Sequence, residues 1–161
     1  TAREWIGSIV ESVAVLCPGV GLKHYTDSDL PWAYRRSGLP LGEIVCECSL
    51  RVKPGNVSQI RAKMEGSLTR RRKSQPLTLP SAGSVFRNPE GVSAGQLIEQ
   101  LGLKGYRVGG AAVSTLHANF IVNDKGATAA DVLAIIKHIR QRVKEEYGYE
   151  LQPEIRFIGF E

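Results

Sequence analysis

The sequence predicts an α+β fold whose first third is rich in strands and whose remainder mixes helices with strands. Residues 1–52 carry mostly strand patterns, whereas residues 53–161 carry three helical patterns with strand patterns between them. The alternation is irregular and no internal repeat is visible, which indicates an α+β or mixed α/β layered fold. We therefore expect two domains, residues 1–52 and 53–161, with the boundary near residues 53–56.

The first domain is predicted to consist of strands separated by turns. Strand patterns cover residues 6–16, 22–25 and 43–52, and turn residues cluster at 18–21 and 26–31. In the third strand, apolar residues at even positions alternate with mostly charged or polar ones, so one buried face is expected. Cys46 and Cys48 occupy even positions and are therefore predicted to be buried, acting as small hydrophobes.

The second domain is predicted to contain three helices, each introduced by a capping residue. Asn56, Ser93 and Thr128 precede segments with apolar residues three or four apart, and each has an amide or an acid three residues later. Gly148 is expected to end the third helix. The other predictions are a loop at 74–92, a strand at 120–122 and a final strand pair at 149–151 and 154–158.

Composition describes an ordinary globular protein and restricts the classes of function. Of the 161 residues, 42% are hydrophobic and 23% charged, which provides enough apolar material for a core. No apolar run is long enough for a membrane-spanning helix and the N-terminus has no signal-peptide pattern, so we expect no membrane partner. The chain does not begin with Met, so we expect it to be processed or a piece of something longer.

The three cysteines do not form a metal-binding pattern. Cys46 and Cys48 are two residues apart, but no further Cys or His stands at ligand spacing. We therefore expect no metal, and an odd number of free thiols fits a reducing compartment best.

The surplus of positive charge, +5 overall, is concentrated in the run Arg70–Lys73. Three interpretations are open: solvated charge at a helix C-terminus, a site for an anion such as a ligand phosphate, or a nucleic-acid contact. No aromatic residues alternate with the basic ones, although single-strand binding favours them. Nucleic-acid binding is the least favoured interpretation, and we expect no nucleic-acid partner.

The most unusual stretch is residues 80–89, in which small residues stand on both sides of Ser84. Small neighbours let the backbone approach a ligand closely, while Arg87 and Asn88 offer a charged donor and an amide. The alternative is a plain turn serine. Ala82 stands where the nucleophile elbow of hydrolases has glycine, so hydrolysis is not expected.

Other polar residues also have both a structural and a functional interpretation. Arg35 is either the exposed end of a strand or an anchor for a carboxylate, and Glu154 is either an exposed acid or a catalytic carboxylate. His117 and Asn119 are two residues apart and share a face if the chain is extended. For His117 a structural role is favoured over that of a ligand or base.

In their order along the chain, these motifs resemble the UDP-N-acetylenolpyruvoylglucosamine reductases of peptidoglycan synthesis. The matching segments are 74–77, 80–89, 93–99, 102–105, 109–114, 117–123, 127–132 and 151–159, with Tyr34-Arg35-x-Ser37 upstream. They span nearly all of residues 29–159, and the sequence Pro-Ser-Ala-Gly-Ser without a long insertion after it is similar to the shorter of the family's two types. The resemblance implies that residues 1–52 are the tail of an FAD-binding domain and residues 53–161 a mixed α/β two-layer substrate-binding domain.

The function implied by the resemblance is reduction of UDP-N-acetylglucosamine enolpyruvate to UDP-N-acetylmuramate, with FAD as cofactor and NADPH as reductant, in the cytoplasm. Ser84 matches the serine that protonates the substrate as general acid. Arg35 and Glu154 match the arginine and the glutamate that polarise the substrate and stabilise the intermediate. An arginine fork suits a carboxylate, and a serine needs a strongly basic intermediate and cationic neighbours to act as an acid.

The resemblance also assigns substrate contacts to Tyr34, Arg87 and Asn88, although the family more often has lysine at position 87. The family's flavin-binding first half, with its glycine-rich loop, has no counterpart in this sequence. We therefore expect this chain to supply the substrate-binding half and the general acid, and to be inactive alone. The alternative is a truncated, non-catalytic module that binds a UDP-sugar or another anion.

Overall fold

The structure is a computed structural model that describes residues 5–159, and it confirms the α+β class. The chain divides into two compact units between Val57 and Ser58. Each unit has its own antiparallel sheet and its own hydrophobic core. The assignment of the two units to a flavin-binding and a substrate-binding domain stays a prediction.

The first unit contains a three-stranded antiparallel sheet. Its strands are β1 (Val10–Cys17), β2 (Gly21–Thr26) and β3 (Ile44–Leu50), in the order β2-β1-β3. The central strand carries the core, because Val13, Val15 and Cys17 are each at most 5% exposed. Residues Ile6–Ile9 form a 3-10 helix, so the strand predicted to begin at residue 6 begins instead at Val10.

The prediction that Cys46 and Cys48 are buried is wrong, since both side chains are exposed. They lie on β3, which is an edge strand with β1 alone beside it. The apolar residues of the same strand are also accessible, with Ile44 58% and Leu50 41% exposed. The period of two identifies the strand correctly, but whether its apolar face is covered depends on other parts of the fold.

A long helix, α1 (Val57–Ser74), begins directly after Asn56 as the capping pattern predicts. None of its residues is buried, and its apolar residues Ile60, Met64 and Leu68 are 45–60% exposed. Three residues of the basic run, Arg71, Arg72 and Lys73, lie in its last turn, where positive charge stabilises the carbonyl end of the helix dipole. This position agrees with the first of the three interpretations of the run.

The second unit packs two helices against a four-stranded antiparallel sheet. Its elements are β4 (Ser81–Ser84), α2 (Ala94–Gln100), β5 (Arg107–Val108), β6 (Ala111–Val113), β7 (Phe120–Asn123) and α3 (Ala129–Tyr147), with the strand order β4-β7-β6-β5. The core lies between β6, β7 and the helices, and its innermost side chains include Phe86, Ile98, Ile135 and Leu151.

Helix α3 has the start and the end that the sequence predicts. Thr128 and Asp131 form a reciprocal capping box, in which each side chain accepts the other residue's backbone N–H. Gly148 ends the helix in the left-handed region, with φ +74°. One face of the helix is buried, as the apolar spacing requires: Ile135, Ile136, Ile139 and Val143.

Two predictions for the second unit are wrong. The stretch 74–92 is not all loop, because it contains β4. The final strand pair at 149–151 and 154–158 is absent from the described residues. The segment around Pro153 instead forms a bridge with Phe86, 67 positions earlier in the chain. Proline lacks an N–H and cannot complete a regular ladder, so pairing there is limited to a short contact.

Candidate functional site

Ser84 lies at the end of β4, where the strand bulges. Ser81 pairs with Val122 and Ser84 with Phe120, and the register shifts between these two pairs. Gly83 takes up the shift with φ +82°, a conformation that side-chain-bearing residues seldom adopt. A Cβ at Gly83 would meet no described atom within 4 Å, so open space lies beside Ser84. Glycine bulges of this kind re-aim side chains and are common near active sites.

Glu154 is brought to the same place by backbone pairing. Its N–H donates to the carbonyl oxygen of Val85 at 2.7 Å, and Arg87 N–H donates to the carbonyl oxygen of Gln152 at 2.9 Å. The residue next to Ser84 is thus hydrogen-bonded to Glu154, although the two lie about 70 positions apart in the chain. Both Ser84 and Glu154 are half-buried.

Arg87 and Asn88 follow immediately, and the two side chains have different surroundings. The Arg87 Nε is buried and has no hydrogen-bond partner among the residues that the structure describes. A buried guanidinium donor without an acceptor is costly in free energy, so an anion at this position would supply the missing acceptor. Asn88 accepts a hydrogen bond from Ala94 N at 3.0 Å through its Oδ1, and so caps α2. Ser93, the predicted cap, is at the N-cap position but makes no capping bond with its side chain.

Tyr34 and Arg35 occupy a tight turn in the first unit. Ala33 and Arg36 exchange backbone hydrogen bonds of 3.1 and 2.9 Å across the turn. Arg35 has φ +60°, and among the described residues it is the one non-glycine residue with positive φ. Its guanidinium carbon lies 5.6 Å from the centre of the Tyr34 ring, and both side chains are exposed. Strained backbone of this type concentrates at functional sites.

The second unit by itself therefore brings together Ser84, Arg87, Asn88 and Glu154. Tyr34 and Arg35 belong to the first unit and form a local pair there. The six residues stay predicted site residues, supported by this backbone arrangement within each unit.

Sequence reasoning underestimated Asn119, which is buried at 5% exposure between β6 and β7. Its carboxamide makes two hydrogen bonds with the backbone of Phe86, accepting from N at 2.9 Å and donating to O at 2.8 Å. A polar residue among apolar neighbours, next to the buried Ala118 and Phe120, was the available signal. Its partner, 33 positions earlier, could not be read from the sequence.

His117 has the structural role that the sequence favoured. Its Nδ1 accepts a hydrogen bond from Asn119 N at 3.2 Å, and its ring lies against Phe120. Burial lowers the pKa of His117, and Lys104 adds to the effect. The neutral ring keeps Nδ1 available as an acceptor.

Residues 5–159 contain no cluster of three His, Cys, Asp or Glu side chains suited to a metal ion. No helix among them combines the length and apolar character that crossing a bilayer requires.

Comparison with known proteins gives a consistent result. The family model for UDP-N-acetylenolpyruvoylglucosamine reductase, C-terminal domain, matches residues 75–158. A reductase of that name from Limosilactobacillus reuteri is 43% identical over 153 residues, covering 94% of this chain and 51% of the relative. The reductase from Anaeromyxobacter dehalogenans is 51% identical over 130 residues, covering 81% of this chain and 40% of the relative.

A solved structure is similar over both units. The crystal structure of UDP-N-acetylenolpyruvylglucosamine reductase from Thermus caldophilus matches with a TM-score of 0.83 and 40% identity, covering 97% of this chain and 55% of that one. This chain thus spans about half the length of the relatives that it matches.

Proposed function

We propose that this chain, which belongs to the UDP-N-acetylenolpyruvoylglucosamine reductase family, supplies the substrate-binding half and the proton donor of that reductase. The reaction is the reduction of UDP-N-acetylglucosamine enolpyruvate to UDP-N-acetylmuramate, with FAD as cofactor and NADPH as reductant. The single observation that supports this assignment is the backbone pairing of residues 85–87 with 152–154, in which Glu154 is hydrogen-bonded to the residue that follows Ser84.

The reaction adds one hydride and one proton across the double bond of the enolpyruvyl group. Bound reduced flavin would supply the hydride for the terminal carbon, and NADPH would supply the electrons that reduce the flavin. The terminal CH₂ becomes CH₃, and the electron pair of the double bond moves onto the ether-bearing carbon as an enolate shared with the carboxylate. A proton on that carbon completes the lactyl ether.

We assign this proton to the hydroxyl of Ser84. A serine hydroxyl is a weak acid, so donation requires a strongly basic enolate and a nearby positive charge that stabilises the alkoxide left on Oγ. The alkoxide then regains a proton from water. The open space beside Gly83 leaves room for the substrate to approach Oγ.

The other predicted residues bind the substrate and stabilise the enolate. Arg35 clamps the enolpyruvyl carboxylate with its guanidinium fork, and Glu154 helps to polarise the substrate. Arg87 fits the diphosphate or the sugar, because its buried Nε lacks an acceptor among the described residues. Tyr34 and Asn88 contact the remainder of the substrate. Asn88 does so through its side-chain amide nitrogen, because its capping bond uses Oδ1.

The donor groups of this chain fit a substrate anion, and we assign none of them to hold FAD. We place the reaction in the cytoplasm, which the two exposed cysteines support, because exposed thiols persist in reducing compartments. The isolated chain is expected to carry no stoichiometric flavin and to show no turnover. A flavin that co-purifies in equal amount would contradict this part of the proposal.

The test compares binding with turnover. Calorimetry measures the affinity of the chain for UDP-N-acetylglucosamine enolpyruvate, and turnover is measured in a fusion that adds the part of the Thermus caldophilus reductase that this chain does not cover. We call this fusion the assembled reductase. Ser84→Ala is expected to bind within about threefold of wild type and to lose at least about 100-fold in kcat. Ser81→Ala, on the same strand, is the matched control.

Each contradictory outcome identifies a different error. Full turnover by Ser84→Ala would remove the assignment of the proton donor. Absence of binding by the unsubstituted chain would contradict the proposed identity of the substrate. Binding with no turnover in the assembled reductase, if its flavin is loaded and reducible, would favour the non-catalytic module.

A further inference from the structure

The backbone that follows Ser84 is hydrogen-bonded to Asn119. Val85 N–H donates to the carbonyl oxygen of Asn119 at 2.9 Å, and Phe86 exchanges two hydrogen bonds with the Asn119 side chain. Three of the backbone groups that follow Ser84 are therefore fixed by one residue.

The same two residues hold Glu154 on their other side. Val85 O accepts from Glu154 N at 2.7 Å, and Phe86 forms a bridge with Pro153. Residues 85–86 thus lie between Asn119 and Glu154. They connect these two residues through hydrogen bonds.

The Asn119 side chain is suited to this role because both of its polar groups are used. The side-chain oxygen accepts and the side-chain nitrogen donates. The carboxamide therefore satisfies both the backbone N–H and the backbone carbonyl of Phe86. All three residues are buried, with Val85 2%, Phe86 1% and Asn119 5% exposed. Water cannot easily replace a lost bond there, so removal of either one displaces the segment.

Asn119 is itself held by a turn between β6 and β7. Ser114 Oγ accepts from Leu116 N at 3.1 Å and from His117 N at 3.3 Å. His117 Nδ1 then accepts from Asn119 N at 3.2 Å. Ser114 and Asn119 are the buried polar residues of the described chain, and this turn links them.

We propose that Asn119 is a positioning residue of the reductase, which sets Ser84 and Glu154 in register by holding the backbone of Val85 and Phe86. The inference rests on the proposed function of Ser84 and Glu154. Asn119 does not touch the substrate and acts only through the segment it holds. Small displacements of a proton donor lower kcat more than they weaken substrate binding.

The test uses Asn119→Asp in the assembled reductase. The ionised carboxylate keeps an acceptor for Phe86 N–H but repels Phe86 O, whereas the protonated acid restores both bonds. We expect kcat to fall about 10- to 100-fold at pH 8, with KM within about threefold of wild type, and to recover as the pH is lowered. The matched control is Asn123→Asp at the end of β7, because Asn123 Oδ1 accepts from Ala127 N at 2.8 Å and a carboxylate makes the same bond.

A double substitution separates this inference from the proposed function. If Asn119 acts in part through Ser84, then the fold-loss of kcat caused by Asn119→Asp is at least about threefold smaller in the Ser84→Ala background than in the wild type. Equal losses in both backgrounds would overturn the positioning role. Wild-type kcat in Ser84→Ala would instead overturn the proposed function.

A second measurement, on this chain alone, does not depend on turnover. Hydrogen exchange of the amides of Val85, Phe86 and Glu154 is expected to be at least about tenfold faster in Asn119→Asp than in Asn123→Asp at pH 8. The amides of Ile136 and Ile139 in α3 report any general loosening of the unit. Unchanged exchange at the three site amides, or equal acceleration in α3, would overturn the inference.

Discussion

Glu154 donates its backbone N–H to the carbonyl oxygen of Val85 at 2.7 Å, so an acid near the end of the chain lies beside the residue that follows Ser84. The link consists of backbone atoms, and it therefore survives substitution of either side chain. Side-chain substitutions at positions 84 and 154 should accordingly change the chemistry of the site without disrupting its architecture.

Substitution of Arg35 should separate stability from activity. Its φ of +60° destabilises the folded state by about 1 kcal/mol, and glycine would remove that strain. Glycine would also stabilise the unfolded state by about 0.5–1 kcal/mol through its greater conformational entropy, so the two effects nearly cancel. We expect Arg35→Gly to unfold within about 1 kcal/mol of wild type in urea, while turnover of the assembled reductase falls at least about 100-fold. Arg36→Gly is the matched control and should lose stability but little turnover. Equal activity of the two variants would contradict the assigned role.

Gly110 should not tolerate a side chain. A Cβ there would lie 2.4 Å from the backbone nitrogen of Ala127, which cannot move away as a flexible side chain could. We expect Gly110→Ala to destabilise the second unit by about 3 kcal/mol, measured by urea unfolding. Gly66→Ala, in the open middle of α1, should not lower the midpoint and should increase helical content. Similar midpoints for the two variants would contradict the packing described around Gly110.

His117 should make stability depend on pH. Burial lowers its pKa in the folded state, with Lys104 adding to and Glu99 opposing the shift, so the unfolded chain takes up the proton more readily. The contribution is complete above the unfolded pKa of about 6.5 and is lost as the pH falls below that value.

The variant His117→Asn isolates this contribution. Its Oδ1 replaces Nδ1 as the acceptor for Asn119 N–H but does not titrate. The free energy of unfolding of wild type should therefore fall more than that of His117→Asn between pH 7.5 and pH 5, as measured in urea. Parallel pH profiles for the two proteins would show that His117 does not contribute.

The three thiols should react at two different rates. Cys46 and Cys48 are exposed, whereas Cys17 is buried and donates a hydrogen bond to Glu43 Oε1 at 3.0 Å. That bond and burial raise the pKa of the Cys17 thiol and reduce its thiolate fraction. A thiol reagent should modify two cysteines of the native chain rapidly and the third only after unfolding in urea. Cys17→Ala should remove the slow phase, and three equal rates would contradict the burial of Cys17.

The parts of the fold that were predictable are those determined by local pattern. Helix α3 has a capping box, an apolar face and a terminal glycine within one 21-residue stretch, and the structure confirms all three. The period of two likewise locates β3, whose ends differ by one or two residues from the prediction.

The parts that were not predictable depend on contacts between distant residues. The exposure of Cys46 is decided by what lies over β3, which the strand's own pattern does not contain. The 152–154 segment pairs with residues 85–87, so its apparent strand pattern gave the wrong partner. Asn119 became interpretable only when its carboxamide was seen to hold Phe86.

The most direct test of the account is a crystal structure of the flavin-loaded assembled reductase with UDP-N-acetylglucosamine enolpyruvate bound. The account predicts that the Ser84 hydroxyl, the Arg35 guanidinium and the Glu154 carboxylate all surround the enolpyruvyl group, with Ser84 Oγ within hydrogen-bond reach of the carbon that is protonated. An enolpyruvyl group bound away from Ser84, or Arg35 and Glu154 on opposite sides of the molecule, would contradict it.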